Sequence, residues 1–124
     1  MNADDMVERV CFLPVDSRVI GTLSPRDLVK RTGYPQATEA LTVDSVEGVL
    51  RRHPELLKEW EIWSDDKCTP TSWIFQMNPD GCTVYFHPVG ESMVFADPFV
   101  ACAEYIVREL RWIKAISDTP HGMD

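Results

Sequence analysis

What most constrains this chain is a double change of period. From Pro54 to about Asp65 apolar residues recur at helical spacing, with Leu56, Leu57, Trp60 and Trp63 on one face. After Asp65-Asp66-Lys67 they alternate instead, and residues 72 to 77, 82 to 87 and 91 to 96 read as three short strands. From Asp97-Pro98 the helical period returns as a stripe of Phe99, Ala103, Ile106, Leu110 and Ile113. Between the first two strands, Asn78-Pro79-Asp80-Gly81 is a tight-turn signal, because Pro79 presets φ and Gly81 tolerates the positive φ that closes such hairpins. A second turn is expected around Val89-Gly90. Both faces of the meander look apolar, Trp73, Phe75 and Met77 alternating with Ile74, and Val84 and Phe86 with Tyr85. One face should pack on the closing helix, and the other should meet the earlier helices or a partner. The expected fold class is therefore α+β: short N-terminal helices, a three-stranded antiparallel meander, and a long C-terminal helix packed on the sheet.

The N-terminal third carries weaker signals. Met6, Val7, Val10 and Cys11 have helical spacing, yet the run from Val10 to Val15 also suits a short strand, so residues 1 to 21 are open between the two. Ser24 and Pro25 then supply an N-cap and a first helical residue, Leu28 and Val29 an apolar side, and Gly33-Tyr34-Pro35 a stop. The next helix begins near Thr42 or Asp44, with Asp44 and Glu47 at capping-box spacing and Val43, Val46 and Leu50 in one stripe, and Pro54 ends it. Residues 117 to 124 read as a polar tail. At 124 residues the whole is expected to be a single domain with its own core.

Chemistry is sparse. The cysteines at 11, 68, 82 and 102 form no C-x-x-C pair and read as buried free thiols. His53, His87 and His121 have no ligand spacing, so neither a metal nor another cofactor is expected. His53 reads as a helix terminator and His87 as the end of a strand. A Cys-His-Asp triad from Cys82 or Cys102 with His87 and Asp97 is the one nucleophilic arrangement the composition permits, without neighbouring positive charge to activate either thiol. No signal peptide and no apolar run of spanning length is visible, so the expected location is the cytoplasm.

Charge is the informative property. The chain carries 12 Lys and Arg against 20 Asp and Glu, a formal net charge of -8, which argues against nucleic-acid binding and for a basic protein partner. From His53 to Val107, Glu55, Glu59, Glu61, Asp65, Asp66, Asp80, Glu91, Asp97 and Glu104 face only Lys58 and Lys67, so nine minus two leaves that segment at minus seven. On the helix after Pro54, Glu55, Glu59 and Asp66 fall opposite the apolar face with Ile62 among them. Like-charge pairs at i, i+4 cost a few tenths of a kcal/mol each, a cost that a binding face would explain. An apolar anchor in an acidic rim gives fast, specific association with a basic protein. The candidate surface is Glu55, Glu59, Ile62, Asp65 and Asp66, with Asp80 at the hairpin tip as an outlying contact.

The strings His53-Pro54-Glu55-Leu56-Leu57-Lys58-Glu59-Trp60, Ser64-Asp65-Asp66-Lys67, Ser72-Trp73-Ile74-Phe75 and Ala101-Cys102-Ala103-Glu104-Tyr105-Ile106 resemble small acidic immunity proteins of bacterial contact-dependent and polymorphic toxin systems. The resemblance spans residues 45 to 113 and leaves residues 1 to 40 outside it. It implies a cytosolic protein that binds one cognate toxin domain, often a basic nuclease, and blocks its active site or substrate path; the chain itself is expected to be non-enzymatic and a monomer or weak dimer. No catalytic residue is implied. The rival readings are an acidic adaptor domain and a small thiol-dependent enzyme.

Overall fold

The computed structural model describes residues 3–21, 25–66, 72–87, 90 and 92–118. The N-terminal segment is helical throughout: α1 spans Ala3–Cys11 and α2 spans Leu13–Ile20. A strand is excluded from Val10 to Val15 because Pro14 falls in the first turn of α2, where a missing amide leaves no hydrogen bond unmade. Gly21, at φ +75, closes α2 with its N–H on the Ser17 carbonyl. Helix α3, Pro25–Thr32, ends at Gly33 as expected, while Ser24 lies outside the described residues. Two 3-10 turns, Tyr34–Gln36 and Thr38–Ala40, lead to α4, Val43–Arg52.

The cap of α4 differs from the Asp44/Glu47 expectation. Thr42 is the N-cap, its hydroxyl accepting from the Ser45 N–H at 3.1 Å while the Ser45 hydroxyl accepts from the Thr42 N–H at 3.0 Å. Thr42 has the extended backbone a cap requires, and Asp44 is already inside the first turn. Val46, Val49 and Leu50 are buried and Val43 only partly so. His53 follows as the C-cap, and α5, Leu56–Asp66, begins after Pro54-Glu55 with Leu56, Trp60, Trp63 and Ser64 buried.

Strands β1 (Ser72–Asn78), β2 (Gly81–His87) and β3 (Ser92–Phe95) form the antiparallel meander in sequence order. Asn78 pairs with Gly81 across Pro79-Asp80. Gly81 holds φ +144, and a Cβ there would stand 3.0 Å from the Phe95 carbonyl oxygen, so the turn needs glycine twice over. Of the second turn, Gly90 is described and Val89 is not. Helix α6, Pro98–Asp118, is capped by Asp97, whose Oδ1 accepts from the Phe99 N–H at 2.9 Å. It includes Ser117 and Asp118, which the sequence assigned to the tail, and residues 119–124 lie outside the described residues.

Helix α6 lies across the sheet face made by Trp73, Phe75, Cys82, Val84 and Phe86, with Tyr105 stacked on Phe75 at 5.8 Å and Trp112 edge-on to Phe86 at 5.1 Å. Trp60 joins the same core, tilted against Trp63 and edge-on to Tyr105, and its Nε1 donates to the Cys11 carbonyl at 2.9 Å. Glu109 is only 1% exposed on this otherwise apolar side and accepts from Trp63 Nε1 at 3.2 Å. Helix α5 meets the sheet along the edge of β1 rather than on a face. The second sheet face, with Ile74, Thr83, Tyr85 and Val94, is therefore not packed under the earlier helices, and Val94 is 75% exposed.

Candidate functional site

The expected acidic surface resolves into one groove and several separate groups. Helices α2 and α5 lie side by side, and between them Pro14, Ser17, Arg18, Glu59, Ile62, Trp63 and Asp66 line a groove of about 190 Å³. Its apolar part comes from Pro14, Ile62 and Trp63. Ile62 is 37% exposed because it stands on the side of α5 away from the core. Three of the sequence candidates, Glu59, Ile62 and Asp66, thus converge on one concavity, spaced along α5 by three and four residues.

The rim is less acidic than the sequence suggested. Arg18 of α2 reaches across and forms an ion pair and hydrogen bond with Glu59, whose side chain is 21% exposed. Glu55 and Asp65 are exposed on or beside α5 but do not line the groove. Glu55 Oε2 stands 3.8 Å from His53 Nδ1. Asp80 is exposed at the hairpin tip, apart from the groove.

Other acids of the segment have internal work. Glu61 accepts from Lys58 Nζ at 3.0 Å and from the Met77 N–H at 3.0 Å, which turns it towards the sheet. Asp97 is bound by Arg51 at 2.6 Å, and Glu104 by Arg108 at 2.9 Å. Pairing with Arg51, together with the Phe99 N–H, holds the Asp97 carboxyl below its ordinary value. Sequence counting missed Arg18 and Arg51 because they lie outside the acidic segment and meet it only in the fold. Arg18 and Pro14 share a face of α2 at i, i+4, yet nothing along the chain says that this face meets α5.

The nucleophilic arrangement is not assembled. Cys82 and His87 sit at opposite ends of β2, about 17 Å apart at the rise of a strand. Cys102 is fully buried in α6, and burial pushes its thiol well above the usual range. Cys82 is raised by burial and then by Glu61 and Asp97. Cys11 is raised from 9.0 to about 12, mainly by burial, with Glu8 adding to the effect and Arg52 opposing it. None of the three has the thiolate character that nucleophilic work needs at neutral pH. Cys68 and His121 lie outside the described residues. Among the described residues no group of three or more His, Cys, Asp or Glu could hold a metal ion, and no helix is long and apolar enough to cross a membrane.

No protein-family model, no curated protein and no solved structure matches this chain.

Proposed function

We propose that this chain is a non-enzymatic immunity-type inhibitor that binds a cognate basic toxin domain, of the nuclease kind, and occludes its active site or substrate path. The observation that supports the reading is the groove between α2 and α5: an exposed Ile62 over Pro14 and Trp63, with Glu59 and Asp66 on its rim. Apolar anchor and charged rim divide the work of recognition, the first supplying affinity on desolvation and the second steering and orientation. Glu55 and Asp65 remain exposed on or beside α5 and extend the negative field, Asp80 stands apart at the hairpin tip, and Arg18 partly neutralises Glu59.

The test is a calorimetric titration with the toxin domain encoded beside this chain in its own host. Ile62→Ala is expected to weaken binding at least tenfold, as truncation of a central anchor does. Unchanged affinity rejects this surface. The second sheet face, on which no described helix packs and where Val94 is 75% exposed, favours a second reading, an adaptor domain docking to a larger assembly. Gene neighbourhood separates the two, since an adjacent toxin reading frame supports the inhibitor and its absence supports the adaptor.

A further inference from the structure

The two edges of the sheet are built differently. Along β1 the Phe75 N–H donates to Ser64 Oγ at 2.9 Å and the Met77 N–H to Glu61 Oε2 at 3.0 Å, so side chains of α5 occupy the row where another strand would bind. These bonds also fix the phase of the whole sheet. Because Phe75 and Met77 point away from β2, Ile74 and Gln76 bond to it opposite Tyr85 and Thr83, leaving Cys82 and Val84 to bond to Phe95 and Met93. Ser92 and Val94 therefore turn their N–H and C=O groups outward. Among the described residues nothing bonds to those outward groups. Free edges are ordinarily blunted by lysine, proline, a bulge or a covering element, and Ser92-Met93-Val94-Phe95 contains no such residue.

We propose that the outer edge of β3 pairs antiparallel with the same edge of a second copy of this chain, joining two three-stranded sheets into one of six. Charge selects the occupant. The chain carries a net charge of -8, yet β3 and the open-face residues Ile74, Gln76, Thr83 and Tyr85 carry none. Two acidic copies can meet on this neutral patch without setting like charges opposite one another, whereas a cationic partner finds its counter-charges on α5. A two-fold axis through Met93 places Ser92 of one copy opposite Val94 of the other, so the contact is self-complementary. The α5 side chains close the β1 edge, so among the described residues only the β3 edge is open and pairing stops at the dimer. Four-residue strands bury less than the roughly 1,000 Å² of a stable interface, which makes the association weak and concentration-dependent.

Sedimentation equilibrium and amide exchange on the full chain, from about 10 μM to about 1 mM, test this. The weight-average mass is expected to rise from 14.1 kDa towards twice that value and no further, while exchange at the Ser92 and Val94 amides slows several-fold. Val94→Lys changes a largely exposed side chain and should leave the monomer folded, but it sets like charges beside the axis and should abolish both effects. Val94→Thr should retain them. A mass that stays monomeric, a dimer indifferent to Val94→Lys, growth beyond two copies, or doubling without protection at Ser92 and Val94 overturns the proposal.

Discussion

Cys11 illustrates how burial alone sets a residue's chemistry. Its thiol is buried in the core, and the shift from 9.0 to about 12 corresponds to roughly 4 kcal/mol favouring the neutral form in the folded state. Because the folded value is the raised one, this stabilisation is complete below pH 9 and is lost as pH climbs towards 12. Tyr105, raised by burial and by Glu109, acts in the same direction. Urea midpoints measured from pH 7 to 11 should therefore fall steeply above pH 9, and a flat profile contradicts the burial. The sign reverses at Asp97. Its lowered carboxyl stabilises the fold above about 3.8, and that contribution disappears as acid protonates it. Asp97→Asn keeps an N-cap of equal quality for α6 and removes the pairing with Arg51, so the acid-range slope of stability should shrink while stability at neutral pH changes little.

At the scale of elements, the strands, the first hairpin, α5 and α6 are legible in the sequence because period and turn chemistry are local properties. The termini of α4 and the edge of β1 are not. Asp44/Glu47 has the spacing of a capping box, but the residue one step outside the helix is Thr42, and Thr42→Ala should cost about 1 kcal/mol in thermal unfolding. Glu61 looks like one more carboxylate on a charged helix face, yet in the fold it turns to the Met77 amide. Ser64 carries no signal at all beyond its place in α5. It is buried and satisfies the Phe75 amide, so Ser64→Ala, which leaves that donor without its partner, should destabilise by about 1–3 kcal/mol in urea titrations. A loss below the effect of Thr42→Ala contradicts that role for Ser64.

Across the whole molecule, the sequence locates three residues of the groove, Glu59, Ile62 and Asp66, because they share one helix. Pro14, Ser17 and Arg18 come from a helix about forty residues earlier, and only tertiary packing places them opposite α5. The same packing divides the net charge that composition presents as one block, with Arg18 and Arg51 neutralising part of it across the fold, while Lys58 and Arg108 pair along their own helices. Arg18 makes the binding account sharply testable, since it is a cation standing where a basic partner would bring its own. The most direct measurement is the stopped-flow association rate with the cognate toxin domain at low and high salt. Arg18→Ala exposes Glu59 and should accelerate association at low salt, Asp66→Lys should slow it, and both differences should shrink as salt screens them. Rates that both variants leave unchanged, or that move in the same direction, contradict the account.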